Sequence, residues 1–365
     1  MKEEIIYRIA LTKIPKIGPV LAKSLLNYFG NAKKIFCANP RERMKVSKVG
    51  QAIASAFENP DIIRSAEKEF DFVEKNGFDI LFYLDDNYPR RLKHFDLSPV
   101  LLYYNGSANL NPNKTVAIVG TRNPTSSGRL MTEKLVKDLS ALDVTIISGL
   151  AYGVDAVAHK ACINENVETI GVLGHGLDRI YPQEHHHLSK RMIKNGGLLT
   201  EFGFGTIPDR QNFPMRNRII AGMADVVIVV ESKVRGGSII TAEFANEYSK
   251  DVFAVPGRPD DIYSQGCNAL IKRTKAHLLE NVEDLKYIMR WEENEKPKTV
   301  QRDLFQTLTT DELAIVDVVR MNKEIRIDEI SFILSKNSSE LAPLLLSLEF
   351  KGMIRSLPGS RYLII

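Results

Sequence analysis

The stretch VAIVGTRNPTSSG, residues 116–128, decides the fold and poses the functional question. Its apolar opening followed by Gly120 reads as a strand ending in a tight turn, with SSGRLMTEKL continuing as a helix, the first unit of a nucleotide-binding sheet. A dinucleotide fingerprint, G-x-G-x-x-G, then needs two more glycines so that backbone can close on a pyrophosphate. Arg122 and Thr125 stand at those two positions. An arginine where a pyrophosphate needs empty space argues against a dinucleotide and asks which other anion the loop serves.

Outward from this loop the same pattern repeats. FDILFYL, VLLYYNG, TVAIVG, VTIISG, ETIGVLG, GLLTE, DVVIVVE and DVFAVPG are short β-branched and apolar runs. The last six are separated by segments such as SGRLMTEKLVKDLSAL and GVDAVAHKACINE that read as crossover helices, so the expectation is an α/β fold. Its body is an extended Rossmann-like, doubly wound, mostly parallel sheet over residues 66–290, with the first two runs extending one edge. Residues 1–65 read as a small all-helical domain of the SAM or helix-hairpin-helix kind, with an internal echo between KIGPVLAKSLL (16–26) and KVGQAIASAF (48–57). Residues 291–310 lose periodicity and read as a linker. Residues 311–365, three helical runs and a hairpin closed by a PG turn, read as a winged-helix module.

Bulk properties bound the function. The 365 residues are 44% hydrophobic and 26% charged, ordinary for a soluble globular protein. The sequence has no apolar run of the roughly 20 residues a membrane helix needs, and its polar start predicts a cytoplasmic protein without a membrane partner. Cys37, Cys162 and Cys267 are odd in number and far apart, which argues against a disulfide framework or a CxxC metal site. Asp155 and His159 share a helix face and His185, His186 and His187 form a run, but without HExxH spacing these point to helix-start hydrogen bonding and a solvated loop, not to metal. The first 48 residues hold eleven Lys and Arg against three Glu. That surplus fits either a polyanionic partner or a solvated helical face. From Asp311 onward eight acids face seven bases, and the third helix of the module is mostly apolar, which favours protein contact or autoregulation over sequence-specific DNA reading.

The segments after the six inner strands must converge at the carboxyl edge of the sheet, where such folds bind ligands. They are rich in glycine, hydroxyl groups, arginine and aromatics. Gly120, Gly149, Gly153, Gly174, Gly176, Gly236 and Gly237 let backbone amides approach an anion, and Thr121, Ser126, Ser127, Ser148 and Ser238 offer hydroxyls. Arg122, Arg179, Arg210, Arg216 and Arg218 supply guanidinium forks, although Arg216 and Arg218 have an alternative as partners of Asp225 or Glu231. Tyr152, Tyr181, Phe202, Phe204 and Phe213 lie among them, and aromatic faces beside arginines suit unpaired bases. The segment holds no GxxxxGK[ST] phosphate loop. The rival reading is enzymatic: GGSIITAEFA resembles the P-G-G-x-G-T-x-x-E motif of nucleoside-monophosphate phosphoribohydrolases, with Glu243 in the catalytic position but Ile239 and Ile240 replacing the second glycine and threonine.

In order, VAIVGTR, SGLAYGVDAVAH, VLGHGLDRIYP, NFPMRNRIIAG, GGSIITAEFA and VFAVPG closely resemble the DNA-processing protein A (DprA or Smf) family. The resemblance implies a single-stranded-DNA-binding protein without cofactor or chemical step, a homodimer, that protects incoming strands during natural transformation and loads the RecA recombinase. It carries the DNA pocket onto Thr121, Arg122, the turn Ser148 to Gly153 with Gly149, Arg210, Phe213, Arg216 and Arg218. Tyr152, His185 and Gly236 depart from the family pattern, as do Thr274 and Lys275.

Overall fold

The computed structural model describes residues 2–291, 308–322, 324–351, 353–357 and 359–364. The chain divides into two compact units, Met1–Asn294 and Glu295–Ile365. The linker expected over 291–310 falls almost wholly outside the described residues.

The first unit opens with six helices: α1 (Lys2–Lys13), α2 (Pro19–Phe29), α3 (Ala32–Cys37), α4 (Pro40–Arg43), α5 (Gln51–Ala56) and α6 (Pro60–Asn76). The sequence echo is a conformational echo. Lys16 and Lys48 both take left-handed φ, 65° and 68°, and two residues on Gly18 and Gly50 start α2 and α5 from extended backbone. The helices close on Ile9, Leu11, Leu25, Leu26 and Ile35. α6 passes through the expected 65/66 boundary and adds Phe70 and Val73 to that helical core.

Much of the basic surplus is held internally. Arg43 is buried and donates to the carbonyls of Ile35, Phe36 and Ala54. Lys23 is buried against Phe95 O, Asp96 O and Ser98 Oγ, and burial lowers its pKa to about 8. Lys13 pairs with Glu69 and Arg8 with Asp85. Five of the eleven bases, Lys16, Lys34, Arg41, Lys45 and Lys48, are exposed and without ion pairs among the described residues.

The sheet has nine strands: β1 (Asp79–Phe82), β2 (Leu101–Gly106), β3 (Lys114–Val119), β4 (Val144–Ser148), β5 (Thr169–Leu173), β6 (Gly196–Thr200), β7 (Val226–Val229), β8 (Asp251–Ala254) and β9 (His277–Leu278). Their order is β1-β2-β6-β5-β4-β3-β7-β8-β9. β1 and β2 extend one edge, as expected, pairing antiparallel with each other and with β6, and the strands from β6 to β9 in this order are parallel. α7 (Arg90–Lys93), α8 (Ser126–Leu139), α9 (Val154–Asn164), α10 (His186–Met192), α11 (Asn212–Met223), α12 (Gly237–Glu247), α13 (Gln265–Lys272) and α14 (Val282–Met289) accompany the strands. Every residue of β4, β5 and β6 is buried, because crossover helices cover both faces of a parallel sheet. The chain winds from β3 to β6 in one direction and returns to lay β7 on the other side of β3. The loops after β3 and β7 therefore lie side by side, which is where doubly wound sheets open a crevice.

The second unit runs α15 (Thr310–Asn322), β10 (Glu324–Arg326), α16 (Ile327–Leu334), α17 (Ser338–Phe350), β11 (Ile354–Leu357) and β12 (Arg361–Ile364), with antiparallel sheet order β10-β12-β11. This is winged-helix order, with β10 added to the expected hairpin. Ile315, Val319, Ile330, Leu341, Leu345 and Leu348 fill its core. Glu312 in α15 accepts from Lys351 Nζ at 2.6 Å, Thr309 N at 2.9 Å and Ser347 Oγ at 2.8 Å. The Lys351 ammonium first, then the Thr309 amide and the Ser347 hydroxyl, pull its pKa from 4.5 down to about 2. A depressed folded pKa gives stability that is full above the unfolded value and lost as pH falls through the folded one. Amide-exchange protection of α15 and α17 is therefore expected to fall between pH 4.5 and about 2. Glu312→Gln should be less protected above pH 4.5 and fall less steeply across that window, where Glu349 of α17, held below 4.5 by its hydrogen bonds from Ser356, still titrates; a wild-type profile no steeper than the variant's would remove this role.

Candidate nucleic-acid interface

The crevice at the switch point is a cleft of about 670 Å³. Its floor is the carboxyl ends of the strands; its walls are Gly120, Thr121 and Arg122 after β3, Ser232, Lys233, Gly236 and Ser238 after β7, and Arg210, Phe213 and Arg216 of the α11 region. Arg122 is exposed and stands over the Phe213 ring at 5.6 Å, with no ion pair among the described residues. A guanidinium beside an aromatic face, free of any carboxylate, is equipped to meet a phosphate and the base attached to it. Tyr181, 43% exposed, lies 6.0 Å from Phe213 and extends the aromatic wall. Arg210 is exposed and lines the same cleft.

The Arg122 loop is held from both sides. Thr121 N donates to Glu231 O at 2.7 Å, and Val154 N donates to Thr121 O at 3.1 Å. The buried Glu231 carboxylate at the end of β7 accepts from Thr125 N at 2.9 Å and from Thr125 Oγ1 at 2.5 Å. Thr125 in turn caps α8 by accepting from Gly128 N. An internal carboxylate thus occupies the helix N-terminus that would hold a pyrophosphate in a dinucleotide fold. Sequence reasoning missed this; the only signal was an acid ending the DVVIVVE strand.

Several residues expected at the surface of the site lie beneath it instead. Arg216 is buried: Nη1 donates to the carbonyls of Gly149 and Val172, and the guanidinium faces Asp155. Burial lowers its pKa to about 10, so it remains charged at neutral pH. Burial also raises the pKa of Asp155, which accepts from Gly149 N at 3.1 Å and Ala151 N at 3.4 Å at the start of α9. Arg218 is buried and donates to Leu97 O and Glu201, away from the cleft. Asp225 pairs with Arg91 at 2.7 Å, so neither Asp225 nor Glu231 is the partner of Arg216 or Arg218. Ser148 Oγ is buried and donates to Ile118 O, and Ser238 Oγ donates to Ser232 Oγ, so neither hydroxyl is offered to an anion. Arg179 forks onto Asp178 outside the cleft. Phe204 stacks on Phe72 of α6 at 4.1 Å and leaves the aromatic set.

The remaining expectations resolve as follows. Thr121, Arg122, Gly149, Arg210, Phe213 and Arg216 line one continuous region, and Gly153 lies just beyond Arg122. His185 is buried, with Nδ1 at 2.9 Å from Leu150 O, while His186 and His187 are exposed but open α10, so the expected solvated loop is a helix start in which only the last two histidines meet solvent. His159 is buried against Thr169 Oγ1, and burial lowers its pKa to about 3. Glu243 is exposed on α12 and lines no part of the cleft.

Comparison with known proteins agrees with this geometry. Residues 79–290 match the family model for DNA recombination-mediator protein A. Protein Smf of Synechocystis is 37% identical over 272 residues, 73% of this chain and 68% of that protein. DNA processing protein DprA of Streptococcus pneumoniae is 43% identical over 189 residues, 52% of this chain and 67% of that protein. The X-ray structure of the S. pneumoniae protein superposes with a TM-score of 0.68 at 34% identity, covering 77% of this chain and 97% of that one. DNA processing protein A of Helicobacter pylori, whose structure describes a single-stranded-DNA binding mode, has a TM-score of 0.53 at 29% identity over 58% of this chain and 95% of that one. With more than half its length matched by the family model, and with the doubly wound sheet and its Arg122 loop in place, the chain belongs to the DNA recombination-mediator protein A family.

Proposed function

We propose that the protein binds single-stranded DNA without sequence specificity in the switch-point cleft, protects it, and loads a RecA recombinase onto it as a homodimer, with no chemical step of its own. The observation that carries the binding is Arg122, an unpaired guanidinium over the Phe213 ring in a cleft lined on its rims by Arg210 and Lys233. Cations that meet phosphates beside aromatic faces that take unstacked bases are the general equipment for single strands. Hydrolysis through Glu243 finds no support, because that carboxylate stands exposed outside the cleft.

The test is binding of labelled oligo-dT and the matching duplex to wild type and Arg122→Ala across a salt series. Loss of a hydrogen bond to a charged group costs about 1.5–3 kcal/mol, so the variant is expected to bind oligo-dT roughly ten- to a hundredfold more weakly. Its salt slope should be shallower by about 0.7, the share of one phosphate on a single strand. Equal affinity of both proteins, or no preference of wild type for the single strand, would end this reading.

A further inference from the structure

A second cavity, of about 380 Å³, opens on the far side of Arg122 between the starts of α8 and α9. It is lined by Arg122, Arg129, Lys160, Tyr152 and His185, with Asn123, Gly153, Ala156 and Val157 between them. Three bases line this groove and, among the described residues, no acid does; the Glu184 carboxylate stands at its mouth on the Tyr152 hydroxyl. Arg129, in the first turn of α8, and Lys160, in the second turn of α9, are exposed and have no ion-pair partner among the described residues. Unlike Arg8, Lys13, Arg91, Arg179 and Arg218, which are all paired, these cations are not engaged by the fold.

Tyr152 supplies the aromatic element. It is 40% exposed, packs edge-on against the His185 ring at 5.3 Å, and donates from its hydroxyl to Glu184 Oε2 at 2.7 Å. These two contacts fix the ring at the mouth of the groove while leaving part of its face open. Arg122 belongs to the walls of both cavities, so a phosphate held there leaves its neighbours on either side. A stacking ring between unpaired cations repeats, in smaller form, the chemistry of the switch-point cleft.

We infer that this groove is a second subsite for the same single strand, which continues from the switch-point cleft over Arg122, stacks a base on Tyr152 and lays its next phosphates against Arg129 and Lys160. The inference rests on the single-strand reading of the cleft. It gives the site a direction of extension, along the N-terminal ends of α8 and α9, and it predicts a dependence on strand length that a lone cleft lacks.

The experiment is a length series of oligo-dT, from tetramer to twenty-mer, at two salt concentrations, with wild type, Arg122→Ala and the double variant Arg129→Ala/Lys160→Ala. Both double-variant sites are exposed helix positions, and a thermal melt superimposed on wild type verifies folding. Wild-type affinity should rise with length through the cleft and then through the groove. The double variant should match wild type for the shortest strands and fall roughly tenfold behind for the longest, with a salt slope shallower there by about 1.4, two phosphates at 0.7 each. Tyr152→Ala should lose affinity for the same long strands without changing the slope. If the double variant equals wild type at every length while Arg122→Ala is impaired, the groove is not on the path and only this inference falls. If it weakens all lengths equally, the cations act as a diffuse field and the subsite is likewise refuted. If Arg122→Ala binds as wild type does, the single-strand reading itself fails.

Discussion

Arg216→Ala is expected to destabilise the first unit by about 2–6 kcal/mol, about 1–3 kcal/mol for each of two buried carbonyls left without their donor. The guanidinium donates to both Gly149 O and Val172 O, and its charge lowers the cost of ionising the buried Asp155. Without it two carbonyls and a carboxylate lose their compensation under the floor of the cleft, where water has little access. Urea unfolding followed by circular dichroism measures the loss. Asp155→Asn in the Arg216→Ala background should recover part of it, because a neutral amide no longer leaves an unbalanced charge, and the double-mutant cycle reports their coupling. A loss below about 1 kcal/mol would mean that Arg216 does not hold up the floor of the cleft. This outcome separates Arg216 from Arg122: the first is expected to act on stability and on DNA only through the floor, the second on DNA with stability unchanged.

That separation was not legible in the sequence, and the reason is physical. NFPMRNRIIAGM forms α11, a helix with little contrast between its faces, so residue type alone does not tell which arginine points out. Arg216 and Arg218 look like Arg122 and Arg210 in composition; only packing against β5 and Glu201 turns them inward. Arg122 was legible because a residue just past a strand end in a doubly wound sheet has few places to go. The strands were legible for a related reason: a parallel strand covered on both faces must be a short continuous apolar run, as VTIIS and TIGVL are. β9 escaped because His277 and Leu278 are two exposed residues without such a run. Arg129 and Lys160 gave no signal, since isolated bases on amphipathic helices are ordinary until the fold sets their helix starts beside one another.

Gly153→Ala should impair both stability and DNA binding more than its size suggests. Gly153 has φ 83° and ψ −130°, a region that disfavours side chains, and a Cβ there would lie 2.2 Å from Thr121 O and 2.6 Å from Arg122 backbone atoms. Backbone strain of about 1–3 kcal/mol adds to an overpacking cost of about 1–3 kcal/mol. The atoms it strikes are backbone, so relief comes only by moving the loop that carries Arg122 and by breaking the Val154 N to Thr121 O hydrogen bond. Gly205→Ala is the matching control: its φ is 84°, but nothing lies within 4 Å of the added carbon. It shares the positive φ and lacks the collision. The difference in unfolding free energy between the two variants therefore reports the collision together with the ψ-dependent part of the strain, and oligo-dT affinity should fall in Gly153→Ala at least as far as in Arg122→Ala while Gly205→Ala stays near wild type. Equal behaviour of the two variants would mean that the loop yields freely, and a guanidinium on a yielding loop cannot be the fixed point from which a strand enters both cavities.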